Sequence, residues 1–179
     1  DFVVGDIAEQ VFDDASLDAV LDSSVLHHVT SFNGYELAAA GRALAVQARA
    51  LASGGVLVVR DFLAPEPGDV VLTLPTDDGD DSDNPIACSS ARLLERFARE
   101  FRSLAKQPGF ELRTLGESEG GRRYGLSHRL AVEFLLRKDY RADWDVEVKE
   151  EYTYFTQLEF EETFAELGLR VLASTPLYN

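Results

Sequence analysis

Methionine is absent from the whole chain, position 1 included, and cysteine occurs once, as Cys88. A single cysteine rules out an internal disulfide, which suits a reducing compartment. One cysteine with three histidines, two of them adjacent, cannot build a structural zinc site. No cysteine-centred motif surrounds Cys88, so a small inert hydrophobe is expected there rather than a nucleophile. No run approaches the ~18 apolar residues of a membrane span, and no basic segment followed by an apolar core marks a secretory signal. The default compartment is therefore the cytoplasm. Lysine is scarce, three against fourteen arginines, and the net charge is −15. The basic footprint of a non-specific nucleic-acid binder is missing, so non-specific nucleic-acid binding is not expected, and no membrane partner is expected either. The acidity speaks to solubility rather than to mechanism. A methionine-free chain that opens on "DFVV", already inside a strand-like pattern, is expected to be a fragment.

What is present is a core's worth of apolar residues: 179 positions with eleven Phe, six Tyr and one Trp. "DFVV" reads as a buried strand ended by Gly5-Asp6, and Leu17 to Leu21 as a second strand after the turn at Asp13–Ser16. That second strand runs straight into "DSSVLHHV", where polar Ser23, Ser24, His27 and His28 follow an apolar run. Residues 35–51 are rich in Ala, Leu and Arg, with Leu37, Ala40, Leu44, Ala48 and Leu51 at helical spacing. Ser53–Gly55 then reads as a helix stop, and Val56 to Arg60 as a strand buried on both faces, as in a parallel sheet covered by helices. The succession of strand, loop, strand, helix and strand predicts a doubly wound, mostly parallel α/β sheet.

After Phe62 the rhythm changes. Residues 75–85, "PTDDGDDSDNP", lack the spacing of an EF-hand loop and read as a solvated loop. Residues 89–107 form a helix capped by Ser89 or Ser90, with Leu93, Leu94, Phe97, Phe101 and Leu104 inward and the arginines outward. "GFELRTL" is a candidate strand, "GESEGGRRYG" a glycine-rich loop, and residues 126–140 a helix with Leu130, Phe134 and Leu135 inward. Trp144, Val148 and Tyr152 recur every four residues, which suits a helix face in a core. Thr156 and Glu159 make a capping box and Gly168 a stop, after which "LRVLAST" is a last strand returning to the first sheet. Residues 1–62 with 154–179 thus form an α/β core, and 63–153 a largely helical insertion beside it.

Taken in order, "VVGDI", "SLDAVLDSSVLHHV", "ALASGGVLVVRDF" and "FTQLEFEETFAELGLRVL" resemble the class I S-adenosylmethionine-dependent methyltransferases. The resemblance covers residues 1–62 and 154–175 and implies a Rossmann-like fold. It implies S-adenosylmethionine as cofactor, held by Gly5, Asp6 and Ile7 at the end of one strand and by Asp22, Ser23 and Ser24 at the end of the next. Asp6 would accept a hydrogen bond from the adenine amine, and Ile7 would offer its backbone N–H and an apolar wall. His28 and Asp61 are the candidate catalytic residues, His28 as a base toward the methyl acceptor. Asp61 either orients an acceptor or caps a turn. Arg60, Arg122 and Arg123 are candidates to meet an anionic substrate or simply to face water. The family's glycine-rich cofactor loop and its ribose-binding acid do not occur in the sequence and are expected upstream, and its final antiparallel strand beyond residue 179. The implied reaction is methyl transfer to an unidentified, small-molecule acceptor, with residues 63–153 on the substrate side. Two rivals stay open: a non-catalytic methyltransferase-like binding or scaffold domain, and another nucleotide-binding α/β enzyme such as a dehydrogenase.

Overall fold

A computed structural model describes residues 3–177. Chain contacts divide it into two compact units, residues 1–64 with 154–179, and residues 65–153.

The first unit is built on a parallel pair, β1 (Leu17–Ser23) and β2 (Leu51–Arg60), joined by α1 (Leu26–Ser31) and α2 (Leu37–Ala50). Its third helix is α6 (Gln157–Glu166), numbered in chain order. Crossing between parallel strands requires a long connection, and two helices supply it. The inward stripe of α2 is Ala39, Ala40, Ala43, Leu44, Gln47 and Ala50, whereas Leu37 is exposed. Small alanines let the helix lie close to the sheet, where Leu44 meets Leu26, Tyr154, Phe155 and Phe160 in one core. In α6 the capping box forms as expected, with Thr156 accepting from the Glu159 N–H and Glu159 accepting from the Thr156 N–H. Gly168, at φ +75°, ends the segment in the left-handed conformation that glycine adopts without strain.

Several expectations are corrected here. Residues 3–6 belong to no strand, and Val3 and Val4 are exposed; the remainder of "DFVV", Asp1 and Phe2, lies outside the described residues. A strand exists only with a paired neighbour, and β1 and β2 pair with each other. Residues 169–175 likewise form no strand, with Leu172 exposed. The α/β class and the parallel pairing therefore stand, while a doubly wound sheet does not appear among the described residues. Nor is β2 buried on both faces. Leu57 and Val59 face the core, but Val56 and Val58 are exposed, as is Leu21, which pairs with Val58. Gly54 and Gly55 are not a helix stop. α2 passes directly into β2 at Leu51, and the glycines lie inside the strand. There the register jumps from Leu17↔Leu51 to Ala19↔Val56. Gly54 takes φ +83° at this bulge, and a Cβ on Gly55 would press on the carbonyls of Leu17, Asp18 and Ala52.

The second unit contains an antiparallel sheet of order β3 (Asp69–Leu74), β5 (Gly121–Ser127), β4 (Arg113–Ser118), so it is not largely helical. What reads as a glycine-rich loop is a hairpin. Gly121, at φ +116°, makes its turn where a Cβ would run into the Leu74 carbonyl. Tyr124 and Leu126 then point alternately inward. Three helices, α3 (Ser90–Glu100), α4 (His128–Arg137) and α5 (Trp144–Glu147), complete the unit. Ser89 caps α3 by accepting from the Arg92 N–H. Phe97, Phe134, Trp144, Leu93 and Tyr124 fill the core, joined by Val148, while Leu104 and Leu135 are exposed. Tyr152 is buried too, beyond the end of α5. On α4 the inward face carries a charged pair, Glu133 and Arg137, both fully buried. Glu133 accepts from the Tyr152 and Thr153 N–H groups and the Thr153 hydroxyl, and the Arg137 guanidinium lies over the rings of Phe97, Phe101 and Tyr152. No helix of the described residues is long and apolar enough to cross a membrane.

Candidate cofactor pocket

The loop of residues 5–9 is shaped by Asp6. Its Oδ1 accepts from the Ala8 N–H at 2.8 Å, and its carbonyl accepts from the Glu9 N–H at 3.0 Å. An aspartate that hydrogen-bonds its own backbone two residues on makes the turn by itself. Gly5 is needed beside it, because a Cβ there would collide with the Val11 side chain. Between this loop, β1 and α2 lies a cavity of about 220 Å³ that Gly5, Asp6, Ile7 and Asp22 all line. Four of the residues singled out from the sequence therefore converge on one site.

Ser23 and Ser24 do not line it. Ser24 takes φ +54°, its N–H donates to the Arg60 carbonyl at 2.7 Å, and Arg60 Nη1 donates to its Oγ at 3.0 Å. Arg60 is thereby tied to the strand end it leaves. Arg122 is occupied as well, by Glu95 and Glu117.

Asp61 and the histidines form a second, buried cluster in the same unit. Asp61 Oδ2 accepts from the N–H groups of Leu26 and His27 at 2.8 and 3.3 Å, which are the first residues of α1. Oδ1 meets His27 Nδ1 at 2.8 Å and accepts from the Phe62 N–H at 2.9 Å. Val25 offers no side-chain cap, so a carboxylate from the end of β2 caps this helix across the sheet. Burial on its own would raise the Asp61 carboxyl. The His27 hydrogen bond, the His27 charge and the backbone N–H groups of Phe62 and His27 outweigh it and hold the group below the ordinary carboxylate value. His27 is buried, with its ring centroid 4.1 Å from that of His28; His28 is half-buried and stacks on Phe32 at 6.1 Å.

Asp22 is shifted the other way. Burial raises its carboxyl, the hydrogen bond with Gln47 lowers it, and the charge of Asp61 raises it further, for a net increase. The Tyr154 hydroxyl is raised by burial and by the nearby charges of Asp61 and Asp22. Gln47 and Tyr154 were not among the expected site residues. Gln47 had a signal in the sequence, as a polar side chain on an otherwise alanine and leucine stripe; Tyr154, in a run of aromatics, had none.

Residues 1–59 match the family model described as a methyltransferase domain, a class I S-adenosylmethionine-dependent family. The match covers the opening third of the chain. That stretch spans the Asp6 loop, β1, α1, α2 and all but the last residue of β2, and so contains every residue named above as lining the cavity. Members of this family typically use S-adenosylmethionine. No curated protein and no solved structure matches the chain.

Proposed function

We propose that this chain takes part in S-adenosylmethionine-dependent methyl transfer to a small-molecule acceptor. The observation that carries the reading is the coincidence of the methyltransferase match with the cavity gathering Gly5, Asp6, Ile7 and Asp22. The residues present fit such a cofactor in part. Ile7, Val20 and Val46 give apolar walls for a flat ring, and a cavity of about 220 Å³ exceeds the roughly 150 Å³ known to hold a benzene ring. Asp22 Oδ2 and Gln47 Oε1 are buried acceptors with no hydrogen-bond partner among the described residues, which suits a ligand rich in N–H or O–H donors. When bound, S-adenosylmethionine supplies an electrophilic methyl group.

The chain's own residues then have three tasks. Asp6 holds the loop in the turn that shapes the cavity, and Gly5 lets that loop close on Val11. His28, half-buried where His27 is sealed in, takes the acceptor's proton at a ring nitrogen. Asp61 is a positioning residue: it fixes His27 through Nδ1, and the His27 ring in turn braces His28. Transfer to a good nucleophile needs mainly in-line placement, so the base assists rather than governs the rate.

Calorimetric titration of S-adenosylhomocysteine tests this reading. Saturable binding is expected, and Asp6→Ala, which opens the turn, weakens it about tenfold, the worth of a single hydrogen bond. A folded protein that takes up no S-adenosylhomocysteine would leave the second reading, a methyltransferase-like binding domain without the reaction.

A further inference from the structure

The outward face of the second unit's sheet carries two arginines that the proposed reaction does not use. Side chains alternate along β5, so Arg122 and Tyr124 turn toward Glu95 of α3 while Arg123 and Gly125 face away. Across the ladder on β4, Arg113 pairs with Gly125 and Gly116 pairs with Arg123. The four positions make a square with arginines on one diagonal and glycines on the other. Residues on such a diagonal stand roughly 7–8 Å apart, within joint reach of two long side chains. Arg113 lies down across its glycine: a Cβ on Gly125 would come 2.6 Å from Nη2 and 2.9 Å from Nε. A Cβ on Gly116 would meet nothing within 4 Å, so the place opposite Arg123 is open. Glycine inside a strand gives up packing and backbone entropy, and one use of it is to let a ligand approach the backbone closely.

Charge separates these two arginines from their neighbour. Arg122 is met by Glu117, its cross-strand partner, and by Glu95. Neither Arg113 nor Arg123 has a carboxylate at ion-pair distance among the described residues, in a chain with 32 acids to 17 bases. Asp69 shares the face but stands on β3 opposite Ser127, and it does not pair with Arg113 among the described residues. One guanidinium fork takes both oxygens of a carboxylate, so two forks call for an anion with more to offer. A phosphate monoester has three terminal oxygens and a charge of about −1.5 to −2 near pH 7. Exposed Val71, which pairs with Gly125, gives an apolar spot for the body that carries the phosphate. A net charge of −15 repels polyanions at long range, which favours a small ligand over a nucleic acid or an anionic membrane. We propose that Arg113 and Arg123 together hold the phosphate group of a small phosphomonoester on the glycine floor between them. The site lies wholly within the second unit and does not rest on the cofactor reading.

The experiment titrates phenyl phosphate into the full chain by calorimetry at low ionic strength, with benzoate as the carboxylate counterpart. Saturable binding of phenyl phosphate is expected, with a preference of about tenfold over benzoate. Arg113→Gln and Arg123→Gln each weaken phenyl phosphate about tenfold, the worth of one hydrogen-bonded charge. Both residues are exposed, so these variants are expected to stay folded. Arg170→Gln makes the same change of charge in the first unit and leaves the affinity as it was. An equal loss in Arg170→Gln would show general charge attraction and overturn the inference. So would undiminished binding in folded Arg113→Gln or Arg123→Gln, benzoate binding as tightly as phenyl phosphate, or no saturable binding at all. Displacement of phenyl phosphate by a lower concentration of a short oligonucleotide would overturn it too, by making the face a nucleic-acid contact.

Discussion

Asp22 and Asp61 lie in the same buried neighbourhood, near the ends of paired strands, and their carboxyls are driven in opposite directions. Asp61 has a full set of donors and is held low. Asp22 has Gln47 and a like charge facing it, and is held high. The consequences for stability differ in sign. A lowered carboxyl stabilises the fold above its unfolded value, about 4, and that contribution fades as pH falls through the folded value. A raised carboxyl does the reverse: relative stability is greatest in acid and is lost as pH rises through the folded value. Asp61→Ala is therefore expected to cost about 3–5 kcal/mol at pH 7, because it leaves His27 and the start of α1 without their partner. Asp22→Asn is expected to stabilise at pH 7, with the advantage shrinking as pH falls through the raised folded value and the native carboxyl takes up its proton. Urea midpoints of the variants at pH 7 and pH 4 check both; a destabilised Asp22→Asn at pH 7 would mean the charge has a counter-ion in the resting protein.

Among the elements, α6 shows how much a local signal can specify. Its first turn is closed by two reciprocal bonds between Thr156 and Glu159. Thr156→Ala is expected to lower stability by about 1 kcal/mol, read as a shift in the denaturant midpoint, and Thr156→Ser to leave it nearly unchanged. The helices α2, α3 and α6 were legible in sequence because caps and apolar stripes are local patterns. The strands were less so. β3 shows clean alternation in "DVVLTL", with Leu72 and Leu74 inward, but nothing local announces its partner β5 some fifty residues on. The glycines at 120–121 carry two meanings, loop or hairpin, and only pairing selects one. Gly54–Gly55 misled in the same way, since a glycine pair after a helix signals a stop unless a neighbouring strand draws it into a bulge. The resemblance singled out Gly5, Asp6, Ile7 and Asp22, and the structure brings these four to one cavity. Gln47 stands out in the sequence as a polar residue on an alanine and leucine stripe, but its place on the cavity wall depends on what β1 puts opposite it.

For the molecule as a whole, charge is the dominant global quantity. A net charge of −15 spread over 179 residues means self-repulsion in the compact state. Many of the fourteen arginines are already neutralised locally, as where Asp83 receives Arg92 and Arg99, and Glu95 receives Arg92 and Arg122. These pairs are largely exposed and worth little each. Screening is therefore expected to relieve more repulsion than attraction, and the thermal midpoint to rise as sodium chloride increases from about 20 to 500 mM, over which the Debye length shrinks to a few ångströms. A midpoint that falls with salt would show that the ion pairs outweigh the global repulsion.

The chain leaves the first unit after Ala64 and re-enters it at Tyr154, and the two crossing points are tied together, the Ala64 N–H donating to the Phe155 carbonyl at 2.7 Å. The 89 residues in between thus depart and return through a single doorway. In genetic terms that is the footprint of a cassette. One excision joining the doorposts would leave the parallel pair and its helices with their wiring intact, and one insertion at the same point would give an ancestor of the first unit a second module without rethreading it.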